Sequence, residues 1–284
     1  MLKVYVEPKD RKDIIEKYNM GFSILALTKT TNYSYTVINR ILKEENIPIR
    51  DNSYTARKYH CNSNIFEEIN TEEKAYWLGF LYADGYISPA NNSYTIGLAL
   101  SSIDKEHIEK FKIFLETDYP IHEYVSTGYK PSLYSRLHIK DKKIGEDLIK
   151  YGILPQKTSI LAFPKISENL IPHFIRGYFD GDGCLTCHKF NKNSSRLIWV
   201  IKFCGTENML KNIYNNLPRR YNNPINLYQR YKRDNNNYCI DIGGNKQVLQ
   251  ILNYLYKDAT IYLERKYKKY QELVEQDKEK QNEI

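Results

Sequence analysis

The chain has no apolar run near the ~20 residues that a membrane-crossing helix requires, so no transmembrane span is expected. Its opening, MLKVYVEPKDRKDIIEKY, lacks the apolar core of a secretory leader. Cysteine is sparse and odd in number, five in 284 residues, which argues against a disulfide framework and for free thiols in a reducing compartment. The expected location is the cytoplasm of a bacterial or phage-infected cell, or an organelle. The six histidines include no H-x-x-x-H pair, and no Ser/His/Asp arrangement stands out. Cys184-Leu185-Thr186-Cys187-His188 spells the pattern of covalent haem attachment, but without a secretory context or a second ligand pair it reads as neither haem nor zinc site. Acidic charge is the minority: 34 Asp and Glu against 42 Lys and Arg leave +8. A pI near 9.0 suits a polyanionic partner. The excess gathers in 186–236, where ten basic residues face two acidic ones.

What is present is a short acidic phrase that occurs twice. Residues 76–87 read YWLGFLYADGYI and residues 174–185 read FIRGYFDGDGCL. In each, a glycine precedes an aspartate by five positions: Gly79 before Asp84 and Gly177 before Asp182. Each phrase reads as a helix with an apolar face, Trp77, Leu78 and Leu81 in one, Phe174, Ile175, Tyr178 and Phe179 in the other. A glycine inside a helix costs about 1 kcal/mol against alanine. Its recurrence at one place predicts close backbone approach at Gly79 and Gly177. Gly85 and Gly183 read as helix stops, which puts Asp84 and Asp182 at helix C-termini. The helix dipole disfavours carboxylates there, and two of them side by side repel. A hard divalent cation relieves both, so the pair is expected to bind Mg²⁺ or Mn²⁺. The 98-residue interval is too long for a solenoid repeat and predicts two half-domains that share one site.

Around the phrases the pattern is α+β. Asp104–Leu115, Asp141–Tyr151, Glu207–Leu217 and Lys246–Tyr256 read as helices. Thr95–Leu100, Ile121–Val125, Leu133–Ile139, Leu197–Gly205, Ile225–Tyr231 and Tyr238–Ile242 read as strands. Residues 271–284 are so highly charged that they are expected to fray. Residues 1–50 form a separate three-helix module: Asp10–Tyr18, the run Phe22–Thr28, and Tyr35–Glu44 capped by Ser34. Residues 51–70 read as a polar linker.

The two phrases resemble the paired motifs of the LAGLIDADG homing endonucleases in their single-chain, two-motif form. Residues 151–164, YGILPQKTSILAFP, and 254–267, YLYKDATIYLERKY, resemble the segments that close each half. The resemblance covers roughly 72–270. It implies two pseudo-symmetric half-domains, 71–165 and 166–284, with curved antiparallel sheets packed through paired helices. It further implies a monomeric, Mg²⁺-dependent endonuclease, encoded by an intron or mobile element, that cuts both strands of a long site and leaves short 3′ overhangs. Asp84 and Asp182 match the catalytic metal-binding positions, and Lys157 and Lys266 the basic residues near the site. There are two departures: the second phrase keeps an acidic residue, Asp180, two positions before its aspartate where the first has Tyr82, and the second carries Arg176 on a helix that is usually more apolar.

The N-terminal module resembles a helix-turn-helix, whose last helix enters the major groove. Tyr35, Thr36 and Arg40 are then candidate DNA contacts, together with Arg50, and Arg57 and Lys58 are placed to track the backbone. Alternation puts Arg136, His138 and Lys140 on one strand face, and Arg230 and Lys232 on another. Lys189, Lys192, Arg196 and Lys202 add charge nearby. The competing reading is a binding protein on the same scaffold, either an intron RNA maturase or a non-cleaving regulator.

Overall fold

The computed structural model describes residues 4–20, 22–49, 58–127, 130–155, 160–192, 197–220, 223–229 and 236–282. The chain divides into two compact units, Met1–His60 and Cys61–Ile284.

The smaller unit holds three helices, α1 (Pro8–Asn19), α2 (Ile24–Thr30) and α3 (Tyr35–Glu44). Ile14, Tyr18, Ile24, Leu27, Val37, Ile38, Ile41 and Leu42 make its core. Ser23 caps α2, its side chain accepting from the Ala26 amide at 3.0 Å. Ser34 does not cap α3 through its hydroxyl as expected. It supplies its backbone carbonyl to Val37 and Ile38 instead, at 3.0 and 3.1 Å.

The larger unit begins with 61–70, which was expected to be linker. Cys61, Ile65, Phe66 and Ile69 are buried in the main core, and Ser63 donates to the Asp141 carboxylate at 2.8 Å. Buried apolar residues in a polar-looking stretch make this segment part of the domain.

The acidic helices are α4 (Glu72–Ala83) and α7 (Ile171–Asp182). Each leads into an antiparallel hairpin: β1 (Gly85–Ala90) and β2 (Ser93–Ser101) after α4, β5 (Cys184–Lys189) and β6 (Leu197–Gly205) after α7. Helix α5 (Lys105–Phe114), strands β3 (His122–Val125) and β4 (Leu133–Lys140), and α6 (Lys142–Lys150) follow the first hairpin. Helix α8 (Glu207–Asn216), strand β7 (Tyr238–Gly243), α9 (Asn245–Tyr256) and α10 (Glu264–Asn282) follow the second. The sheets are ordered β1-β2-β4-β3 and β5-β6-β7. Each covers the core with one face: Ile96, Leu98, Leu137 and Ile139 in the first, Leu185, Trp199, Ile201 and Phe203 in the second.

Two expectations are corrected. Among the described residues, Ile225–Gln229 form no strand, only an isolated bridge from Tyr228 to Cys239. Ile225 and Leu227 pack on the core. Residues 271–282 do not fray but complete α10. Tyr270 and Leu273 lie on one face of that helix and are buried, a stripe that the surrounding charge conceals.

Candidate functional site

The site forms where α4 and α7 pack face to face. Helix α4 is buried on all sides from Ala75 to Tyr82, as a helix at the centre of a domain must be. The glycines set the approach. A Cβ at Gly79 would lie 2.0 Å from the Phe174 carbonyl oxygen, and one at Gly177 would lie 2.0 Å from the Tyr76 carbonyl oxygen. At the C-terminal ends, a Cβ at Gly181 would meet the Ala83 Cβ at 2.4 Å and Asp84 Oδ2 at 3.3 Å. Ala83 and Gly181 each precede an acidic residue, so Asp84 and Asp182 stand at adjoining helix ends. Asp84 caps α4 and is partly buried; Asp182 is the last residue of α7 and is exposed. Tyr178 reports the same proximity: burial first, then the negative charges of both aspartates, hold its phenol above the ordinary range.

Gly183 stops α7 without a left-handed backbone, its φ being −76°. Its Cβ would instead stand 2.6 Å from the Phe179 carbonyl oxygen. Close approach, rather than positive φ, explains this glycine.

Lys266 is brought to the site and is 3% exposed. Its ammonium donates to the carbonyls of Phe179, Asp180 (2.9 Å), Gly181 (3.4 Å) and Gly183 (2.6 Å). These carbonyls cluster at the α7 C-terminus, where the Phe179 oxygen also accepts the Gly183 amide, and a cation there complements the helix dipole. Burial lowers the lysine's pKa to about 8, against the pull of Asp180 and Asp84. Lys266 therefore bears on the site through the turn that carries Asp182, not by pointing into open space. Lys157, Arg50, Arg57, Arg196, Arg230 and Lys232 lie outside the described residues.

Beneath the aspartates runs a buried polar network that sequence reasoning saw only as departures. Asp180, fully buried, accepts from Tyr76 Oη and the Leu263 amide, both at 2.8 Å, and from Tyr256 Oη. Burial raises its pKa, while Lys266, Tyr256, the Leu263 amide and Tyr76 oppose the rise. Tyr76 Oη also lies 2.9 Å from His107 Nε2. Because the phenol donates to Asp180, Nε2 carries the imidazole proton, and the buried Nδ1 has no partner. Burial pushes His107 down to about 3. Arg176, 1% exposed, pairs with Glu72 at 2.7 Å and donates to the Leu255 and Ile261 carbonyls at 2.8 and 2.9 Å. That web of acceptors is what lets an arginine sit on a buried helix. The signal was the contrast of Asp180 with Tyr82 at the matching place in the first phrase, and Arg176 on an otherwise apolar helix.

The outward sheet faces carry polar side chains. Arg136, His138 and Lys140 alternate with buried Ser135, Leu137 and Ile139, as expected from the spacing. Register sets Gly97 between Tyr86 and His138, and Arg136 between Ala99 and His122. Arg136 lies 5.2 Å over the Tyr124 ring, and His122 stacks on His138 at 5.6 Å. His122, Tyr86 and Tyr124 were not anticipated as members of this face, although alternation along β1 and β3 would have exposed them. In the second sheet, Lys202 is flanked by Cys184 and Asp241, with its Nζ 3.4 Å from the Asp241 carboxylate. Lys189 pairs with Leu197, out of phase with Lys202, but is exposed at the strand end, as is Lys192 just beyond it. In the smaller unit, Thr36 is exposed and Tyr35 half-buried. Arg40 donates to the Val4 carbonyl at 2.7 Å and approaches Glu44 at 3.7 Å, so it is engaged within that unit. Lys58 is exposed, 5.1 Å over the Tyr59 ring.

Residues 175–275 match the model of the LAGLIDADG endonuclease family. Among solved structures, the I-LtrWI LAGLIDADG homing endonuclease bound to target DNA aligns with a TM-score of 0.51 at 13% identity, covering 77% of this chain and 92% of that one. The meganuclease I-SmaMI bound to uncleaveable DNA aligns with a TM-score of 0.50 at 12% identity, covering 76% of this chain and 91% of that one. The chain has the LAGLIDADG endonuclease fold. The family match begins inside α7 and ends inside α10, so the second acidic phrase falls almost wholly within it and the first lies outside. A stretch of 168 residues is 26% identical to the replication factor C small subunit of Methanocaldococcus jannaschii, taking in 56% of this chain and 9% of that protein's length. On the LAGLIDADG fold, the observed α+β architecture and antiparallel sheets agree with expectation.

Proposed function

We propose that the protein is a site-specific, double-strand DNA endonuclease of the homing type, with both acidic phrases serving as LAGLIDADG motifs in one chain. The observation that carries this reading is the placement of Asp84 and Asp182 at adjoining ends of two glycine-packed helices. Each outward sheet face then binds one half of a long site, and the three-helix unit acts as a helix-turn-helix that adds contacts through Tyr35 and Thr36. The protein works as a monomer, since one chain supplies both carboxylates.

The residues fit a divalent cation such as Mg²⁺ or Mn²⁺. Gly181 lets the Ala83 end of α4 come close, since a Cβ there would meet the Ala83 Cβ at 2.4 Å, and this brings the Asp84 carboxylate alongside the last turn of α7. The donor set is hard carboxylate oxygen, with coordination to be completed by water and phosphate oxygens. When bound there, the cation supplies Lewis acidity for phosphodiester hydrolysis. Asp84 and Asp182 would hold the metal, each carboxylate serving the cut on one strand. Lys266 keeps the α7 turn closed so that Asp182 faces the phosphate, and Lys157 is proposed from the sequence resemblance alone as the basic residue of the first half. Sheet contacts from Arg136, His138, Lys140 and Lys202 orient the duplex, and short 3′ overhangs follow from cuts across the minor groove.

The test is digestion of a randomised or genomic DNA library with Mg²⁺, Ca²⁺ or chelator, followed by sequencing of the ends. Discrete Mg²⁺-dependent ends at one long motif are expected. Binding without cleavage would move the assignment to a regulator or an intron RNA maturase, which RNA binding would then separate.

A further inference from the structure

The two aspartates are held in different ways. Two residues before Asp182 stands Asp180, whose carboxylate has no exposed surface and accepts three hydrogen bonds from three separate segments. Tyr76 comes from α4, Tyr256 is the last residue of α9, and the Leu263 amide precedes α10. A fourth tie runs from Lys266 Nζ to the Asp180 carbonyl at 2.9 Å. Behind Tyr76, His107 on α5 extends the chain of hydrogen bonds. Two residues before Asp84 stands Tyr82, a neutral group whose hydroxyl donates to the Tyr151 carbonyl. One half of the site therefore rests on a buried carboxyl group that accepts three hydrogen bonds, and the other on a single phenol-to-carbonyl hydrogen bond.

We propose that Asp180 is a positioning residue for Asp182, fixing the last turn of α7 to α4, α9 and the start of α10, and that it serves only one of the two strand cuts. The proposal rests on reading Asp84 and Asp182 as the catalytic pair. A buried carboxylate is tolerated only where its lone pairs are satisfied, and removing one member of such a set leaves the others unpaired. The nearest structure to loosen is the turn at Gly181–Gly183. A misplacement on the order of 1 Å in a reacting group costs about 10²-fold in rate. Asp84, on a separate helix end capped by its own amide to the Phe80 carbonyl at 3.0 Å, is left in place.

The experiment uses full-length Asp180→Asn, which keeps side-chain volume but brings an NH₂ donor against donating phenols. Hydrogen exchange read by mass spectrometry is expected to quicken by about tenfold at the Gly183 amide, which bonds the Phe179 carbonyl at 2.8 Å, and to stay unchanged at Asp84. With end-labelled target, one strand is expected to be cut at least about tenfold more slowly, so that nicked product accumulates. Equal quickening of both turns, equal slowing of both strands, or no change would overturn the proposal. Should Asp180→Asn fail to fold, Tyr256→Phe removes one donor from Oδ1 with little change in volume, and the same one-sided pattern is expected at smaller amplitude. If the unsubstituted protein cuts no DNA, the endonuclease reading falls while the exchange comparison still decides the role of Asp180.

Discussion

Gly79 and Gly177 each face a backbone carbonyl of the opposite helix, with 2.0 Å between that oxygen and the place where a side chain would begin. The contact is reciprocal, Phe174 for one glycine and Tyr76 for the other. No rotamer change relieves a clash with backbone, so the helices must separate to admit even a methyl group. Gly79→Ala or Gly177→Ala is expected to destabilise the larger unit by about 3 kcal/mol or more, at the upper end of overpacking costs. Urea unfolding followed by circular dichroism measures it. A loss under about 1 kcal/mol, the ordinary range for a volume-conserving change, would show that the helices are not this close.

Asp84→Asn and Asp182→Asn keep shape but remove the charge that concentrates at the helix ends. Each is expected to reduce double-strand cleavage by at least about 10³-fold, a transition-state loss of roughly 4 kcal/mol. Target affinity should remain within a few-fold, because on the proposed function the sheet faces and not the aspartates hold the duplex. Gel-shift and strand-resolved cleavage assays on the same preparations separate the two effects. If affinity collapses in both variants, the carboxylates hold the fold rather than the metal.

His107 makes stability depend on pH. It is held neutral in the folded chain by burial, with its pKa lowered to about 3 from 6.5. The unfolded chain takes up a proton near the ordinary value, so below it the unfolded state binds more protons. The contribution is intact above about pH 6.5 and is lost as pH falls toward 3. At 1.36 kcal/mol for each pH unit, lowering the pH from about 6.5 to 4.5 should cost about 2 kcal/mol through this residue. His107→Gln removes the proton site, so its unfolding free energy should fall less steeply over that interval. Denaturant titrations at several pH values provide the comparison, and parallel slopes for the two proteins would refute the assignment.

How much of this was legible beforehand depends on whether local pattern or long-range packing decides each feature. The glycine-to-aspartate spacing placed Gly79, Gly177, Asp84 and Asp182 because helix packing imposes a repeated local pattern. Strand alternation placed Arg136, His138 and Lys140 on one face for the same reason. Asp180 and Arg176 were visible only as oddities, since their partners Tyr256, Leu263, Glu72 and Ile261 lie up to 104 residues away. The role of Lys266 was hidden because a lysine near a nuclease site suggests phosphate, while its actual acceptors are backbone carbonyls that no sequence pattern announces. Helix α10 was missed because charge at most positions obscured a narrow stripe of Tyr270 and Leu273.

The first sheet should read bases with Arg136, while phosphate is held from beyond the second sheet's first strand. Arg136 is poised for the former: its guanidinium lies over the Tyr124 ring, and its Nε is buried with no hydrogen-bond partner. The flanking Ala99 is small, which leaves room on one side, while His122 bounds the other. An arginine held in this way can present its outer nitrogens to a guanine edge at little cost in conformational freedom. Lys192 is a freely exposed cation just beyond β5 and has the character of a phosphate contact. Arg136→Ala is therefore expected to cost about 1–3 kcal/mol on the best site and to relax preference at one base pair. Lys192→Ala should weaken all sites alike and lower the slope of log affinity against log salt by about 1. Binding to a set of single-base-pair variants at several salt concentrations distinguishes the two. A uniform loss for Arg136→Ala, with no base position relaxed, would make Arg136 a backbone contact and shift base reading to His138 and its neighbours.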